Sequence, residues 1–201
     1  HAWGAAMRGA SSHLRTRVSD KGMDYKGYNI AVHEFGHNVE QTISLYDVDY
    51  YAMSGVPNTA VTEALAFVFQ KRDLDLLGIK ANDPENEKME VLDAAWSLAE
   101  IMGVGMTEML TWLWLYENPE ATPAQLKEKT IEFATQTWNK YFAPITGVKD
   151  SPVLAIYSHM IEVPLYLPNY SYGHIVQFQI DKYLMDKKLT DLNLLPSLEA
   201  G

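Results

Sequence analysis

Apolar residues recur along most of this chain at three- and four-residue intervals. Strict alternation of apolar and polar positions, the mark of a half-buried strand, is nearly absent. The pattern predicts a helix over 26–42, where Tyr28, Ile30, Ala31, Val32 and Phe35 are apolar and no proline interrupts. A second, strongly apolar helix over 59–77 follows a Pro57-Asn58 start signal and closes on Gly78, a suitable C-cap. Met89, Val91, Leu92, Ala95, Leu98 and Ala99 predict a helix over 87–102. Gly103-Val104-Gly105 is expected to break it before a short apolar helix over 107–116. Thr122-Pro123-Ala124-Gln125 places an N-cap threonine, a proline at N1 and a glutamine at N3, and opens a helix running to about 142. The remaining helices are expected at 2–17, 152–160 and 170–187. Ser19-Asp20-Lys21-Gly22 forms a turn, 45–58 a loop with a short helix, and 81–84 a polar connection. These elements predict an all-α fold. At 201 residues the chain is expected to form a single domain, 1–201, long enough to bury a real core.

The helix over 26–42 carries the most informative residues, His33-Glu34-Phe35-Gly36-His37. On a helix, i and i+4 share a face one turn apart, so the two imidazoles can ligate one Zn²⁺. Glu34, between them, is placed to act as a general base for water. Chance matches to so short a motif are common. The apolar flanks argue against a solvated face here, because buried histidine and glutamate need partners and a metal is one.

A catalytic zinc takes three protein ligands and leaves one position open. The next histidine is His159 and cysteine is absent, which leaves a carboxylate: Asp47, Asp49 or Glu63. Asp47 and Asp49 fall at a helix end or loop. Glu63 falls inside the apolar run Ala60-Val61-Thr62-Glu63-Ala64-Leu65-Ala66, where a lone glutamate is costly unless paired or metal-bound, and is the favoured third ligand.

His33 to His37 followed by Glu63, at the start of an apolar helix, resembles the gluzincin zinc metallopeptidases. The similarity is to the angiotensin-converting-enzyme family and the thimet oligopeptidase/oligopeptidase F family, and covers roughly 15–184. The segment Pro168-Asn169-Tyr170-Ser171-Tyr172-Gly173-His174-Ile175-Val176-Gln177-Phe178-Gln179 is similar to the converting-enzyme stretch that carries a catalytic tyrosine before a Gln-Phe-Gln helix. The resemblance implies a zincin-like helical catalytic domain, the C-terminal half of a larger clam-shaped peptidase. Its chemistry would be zinc-dependent hydrolysis of peptide bonds with one Zn²⁺ on His33, His37 and Glu63, and Glu34 as base. It places the oxyanion-stabilising tyrosine on Tyr170, with Tyr172 as the substitute, and a substrate-binding histidine on His159. His174 is weighed as a surface or core residue.

Departures from the family narrow what carries over. The lysine and tyrosine that hold a substrate C-terminal carboxylate fall on Ser158 and Leu167, and the chloride-binding arginine on Asn169, which puts carboxydipeptidase specificity and chloride activation in doubt. The aspartate one turn after the third ligand is Phe67, which leaves the group that orients the histidines unassigned.

The net charge of −10 argues against nucleic-acid or anionic-membrane partners, and no 18-residue apolar run offers a membrane span. The resemblance implies a peptide substrate, with an upstream domain or a second copy covering the cleft; the chain begins at His1, and no signal peptide is visible. The compartment is open, with a periplasmic or secreted location weighed above a cytoplasmic one. Trp112, Trp114 and Trp138 at helical spacing are taken as core, and Asn169-Tyr170-Ser171 as a chance match to a glycosylation acceptor. Two alternatives stand beside the peptidase: a non-catalytic gluzincin-like binding or structural domain, and a zinc hydrolase of a non-peptide amide or ester.

Overall fold

The computed structural model describes residues 1–53, 58–79 and 84–187. Among them the fold is all-α: eight α-helices and one two-stranded hairpin. None of the described helices is long and apolar enough to cross a membrane. The chain gathers into two compact units, His1–Gly78 with Ile175–Gly201, and Ile79–His174.

In the first unit, helix α1 (Tyr25–Tyr46) packs along α2 (Thr59–Gln70). Asp24 caps α1, its carboxylate accepting from Gly27 N at 2.7 Å, and Asn58 caps α2, accepting from Ala60 N at 2.9 Å. Val32, Ala60, Ala64 and Ala66 are buried between them. The expected helix over 59–77 is interrupted at Lys71 and Arg72, and resumes as the short α3 (Asp73–Leu76) before Gly78, which takes a left-handed φ of 71°. Gly55, Pro57 and residues 81–83 of the expected connections lie outside the described residues; Tyr51–Met53 forms a short 3₁₀ turn.

The expected helix over 2–17 does not form. Instead β1 (Ala2–Trp3) pairs antiparallel with β2 (His13–Leu14), Ala2 opposite Leu14 and Trp3 opposite His13. The segment between them closes the end of α1. Arg8 donates to the carbonyls of Leu45 (3.2 Å) and Tyr46 (3.0 Å), and Gly9 N donates to the Tyr46 hydroxyl at 2.7 Å. These bonds satisfy carbonyls that α1 leaves open at its C-terminus, and Gly9 sits at a φ of 84° that no helix contains. The expected turn at 19–22 is present, with Ser19 and Gly22 exchanging backbone hydrogen bonds.

In the second unit, α4 (Pro84–Glu117) pairs with α5 (Pro123–Tyr141), and α5 opens with the expected capping box between Thr122 and Gln125. The expected break at 103–105 is absent, since α4 runs straight through it. Each glycine costs the helix about 1 kcal/mol relative to alanine, but here glycine admits neighbours. A Cβ on Gly103 would meet the Phe142 ring at 2.5 Å, and one on Gly105 would meet Pro168 Cα at 3.2 Å. Val104, Ala134, Phe142, Leu154, Met160 and Leu167 form the core, with Trp138 packed against it. The indole N–H of Trp138 donates to Val148 O and that of Trp112 to Met160 O, both at 2.8 Å, which gives these tryptophans structural roles.

The short α6 (Ala143–Thr146) follows α5. The expected helix over 152–160 is two pieces, a 3₁₀ turn at Val153–Ala155 and α7 (His159–Glu162). On one continuous helix, Leu154 and Met160 would sit about 120° apart; both belong to one core, so the chain bends between them. The last helix, α8 (Pro168–Asp186), is close to the expected 170–187. Its first turn is capped from α4: the buried Glu108 carboxylate accepts from Leu167 N at 2.8 Å and Tyr166 N at 3.3 Å.

Candidate metal centre

His33 and His37, one turn apart on α1, face Glu63 in the first turns of α2. Both imidazole Nε2 atoms approach the same Glu63 oxygen, Oε2, at 3.4 and 3.6 Å. The three ligand atoms all lie within 4.8 Å of one another, and this is the group of metal-binding character among the described residues. Tetrahedral zinc with bonds of about 2.0–2.2 Å separates its ligands by about 3.3–3.5 Å. The two nitrogen–carboxylate spacings are close to that range, and two histidines with one carboxylate are a donor set that zinc takes in catalytic sites. Glu63 is 1% exposed, whereas the His33 and His37 side chains keep 15% and 14%, so access to the three atoms is from the imidazole side.

Close helix packing brings Glu63 this near. A Cβ on Gly36 would lie 2.8 Å from Ala66 Cα and 3.1 Å from Phe69 Cβ, so glycine in the motif lets the α2 backbone approach α1. Phe35 is more exposed than the apolar flanks imply, at 46%, and packs edge-on against Phe69. Asp47 caps the end of α1, ten residues beyond His37 and about 15 Å along the axis. Neither it nor Asp49 joins the group.

Burial works against a charge on His37. The Glu63 carboxylate beside it, and the negative charges of Glu34 and Glu40, outweigh this and hold the His37 pKa above the ordinary imidazole value. Glu34 sits between the histidines with its side chain 14% exposed, and its Oε1 lies 2.8 Å from the His1 amino group.

The partner of His33, which sequence patterns leave unassigned, is Gln70. His33 Nδ1 lies 3.0 Å from Gln70 Oε1. Gln70 Nε2 donates to Asn29 Oδ1 at 2.5 Å, and Asn29 Nδ2 donates to Asp73 Oδ2 at 2.7 Å. Asp73 is buried and also accepts from the Tyr25 hydroxyl at 2.7 Å, a bond that pushes the Tyr25 pKa up to about 12. Phe67, one turn after Glu63, packs its ring against His33 at 5.2 Å and leaves the polar contact to Gln70 a turn further on. Asn29 is one turn before His33 and Gln70 two turns after Glu63, a spacing that points to the site only once α1 and α2 are seen to pack.

Tyr170 and His159 belong to the second unit, where Tyr166 bridges them. Its ring meets His159 at 5.4 Å and Tyr170 at 5.4 Å, both edge-on. Tyr170 is half-buried on α8 against the core. Tyr172, the substitute, is 62% exposed, and His174 is half-buried. Comparison of the chain with protein-family models, with curated proteins and with solved structures finds no match in any of the three.

Proposed function

We propose that this chain is the catalytic part of a zinc-dependent peptidase. The observation that carries the proposal is the convergence of His33 Nε2 and His37 Nε2 on Glu63 Oε2 at zinc-ligand spacing, with Glu34 on the same helix between the two histidines. His33, His37 and Glu63 would hold one Zn²⁺, which when bound supplies Lewis-acid chemistry by acidifying water and polarising a carbonyl. Glu34 removes the proton from the attacking water and delivers it to the leaving amine. By the resemblance, the Tyr170 hydroxyl donates to the oxyanion and His159 binds substrate. The resemblance to the gluzincin peptidases supports this reading, and a peptide is the proposed substrate.

The test is metal analysis and turnover on the parent chain and Glu34→Gln. The expected outcome is about one zinc per molecule in both, with peptide hydrolysis reduced about 10²–10⁴-fold in the variant, the usual scale for loss of a general base. No zinc uptake by the parent when zinc is supplied, or full turnover by the variant, refutes the proposal. Hydrolysis of esters without hydrolysis of peptides favours the non-peptide hydrolase.

A further inference from the structure

The hydrogen bonds behind His33 form a chain with a direction, and we propose that the Asp73 carboxylate, three bonds away, sets that direction and so fixes which His33 nitrogen faces the metal site. The proposal rests on the zinc reading of His33, His37 and Glu63, and makes Asp73, Asn29 and Gln70 positioning residues.

The argument follows from what each group can donate or accept. An ionised carboxylate accepts only. Asp73 Oδ2 therefore requires Asn29 to turn its NH₂ toward it (2.7 Å), which leaves Asn29 Oδ1 facing Gln70. That oxygen requires Gln70 to turn its NH₂ inward (2.5 Å), which leaves Gln70 Oε1 facing His33. Gln70 Oε1 is an acceptor, so His33 carries its proton on Nδ1 (3.0 Å). The lone pair is then on Nε2, the atom 3.4 Å from Glu63 Oε2. Neutral imidazole has two tautomers, and only the one with Nδ1–H can ligate through Nε2. Amides alone would not choose, because a chain of Asn and Gln can reverse by flipping every group. The acceptor-only terminus removes the reversed chain.

Asp73 is well anchored for this role. It is 3% exposed, its second contact is the Tyr25 hydroxyl at 2.7 Å, and its own carbonyl accepts from Tyr28 O–H at 2.8 Å. Tyr25, Tyr28 and Asn29 lie on the α1 turn before His33, and Gln70 is the last residue of α2. The whole device thus belongs to the two helices that carry the ligands and the turn after them.

The test separates the relay from the metal reading. In zinc-free protein, nitrogen NMR of the imidazoles at a pH where they are neutral reports the His33 tautomer directly. The parent is expected to show Nδ1–H alone. Asp73→Asn removes the acceptor-only end and is expected to give a mixture of tautomers, with zinc bound about 10-fold more weakly, the lower end of the range for loss of an outer partner. Gln70→Glu combined with Asp73→Asn moves the carboxylate to the middle of the chain. There it accepts from His33 on one side and from a flipped Asn29 on the other, so the double variant is expected to recover the single tautomer and most of the zinc affinity. A purely structural role for Asp73 predicts no such recovery. If Asp73→Asn does not fold, Asn29→Leu cuts the chain while leaving Asp73 bonded to Tyr25, and the same mixture is expected. A single Nδ1–H tautomer and full zinc affinity in the Asp73 or Asn29 variant overturns the proposal. A parent that shows the single tautomer and binds no zinc leaves the relay standing and sinks the metal reading.

Discussion

His37 is pulled two ways, and the balance sets how the site responds to pH. Burial disfavours its charged form, while the Glu63 carboxylate beside it and the charges of Glu34 and Glu40 favour it, leaving the pKa raised. In metal-free protein a raised imidazole pKa contributes stability that is fully present below the unfolded-state value and is lost as pH rises through the folded value. Zinc needs the Nε2 lone pair, so the proton must leave. The two effects have opposite signs in one window: above the ordinary imidazole range, thermal stability of the metal-free protein should fall while zinc affinity climbs. Melting curves and zinc competition over a pH series measure both. A zinc affinity already level at the ordinary imidazole value would contradict the balance. At this scale the meeting of His33, His37 and Glu63 was legible from sequence, because histidine pairs at i, i+4 and a lone glutamate in an apolar run are uncommon and chemically pointed. Gln70 and Asn29 were not, since amides on helices are usually solvated and their spacing gains meaning only once α1 and α2 are seen to pack.

At the scale of elements, the proposed metal centre depends on how closely α1 and α2 approach. Gly36→Ala would gain about 1 kcal/mol of helix propensity. The new Cβ, however, would lie 2.8 Å from Ala66 Cα, a backbone atom that cannot rotate away. Overpacking of this kind costs about 1–3 kcal/mol, so the net effect is destabilising. As the helices separate, Glu63 withdraws from the histidines, so zinc affinity should fall along with the melting temperature. An alanine variant that melts higher and binds zinc normally would show that the contact relaxes freely. Tertiary packing also explains the misjudged elements. Gly103 and Gly105 read as a break because propensity is local, whereas the Phe142 ring and Pro168 that fill the space beside them come from distant sequence. The segment over 2–17 read as helix because nothing local shows that Arg8 and Gly9 will bond the end of α1. Glu108 is the counterpart in the second unit. Burial raises its pKa against the backbone N–H bonds from Leu167, Tyr166 and Leu165 that oppose the rise. Glu108→Ala strips buried donors of their acceptor, at about 1–3 kcal/mol for each group left unsatisfied. A melting temperature unchanged in that variant would mean that other groups replace the cap.

For the whole molecule, the division into two units gives the proposed chemistry a test that local geometry does not. Every proposed metal ligand lies in the first unit, together with Glu34 and the hydrogen-bond chain to Asp73, whereas Tyr170 lies in the second, on α8. Zinc affinity and catalysis should therefore separate. Tyr170→Phe removes one hydroxyl and should leave zinc affinity at the parent value if that hydroxyl serves the oxyanion and not the metal. If the hydroxyl donates to the oxyanion, it acts in the transition state, so kcat should fall about 10²–10³-fold while KM changes little. Tyr172→Phe, at a position 62% exposed, should be close to neutral in both. A fall in kcat for Tyr172→Phe and none for Tyr170→Phe would shift the donor by two residues and keep the chemistry. A fall in zinc affinity for Tyr170→Phe would instead mean that the tyrosine supports the metal site, and the oxyanion role would be lost.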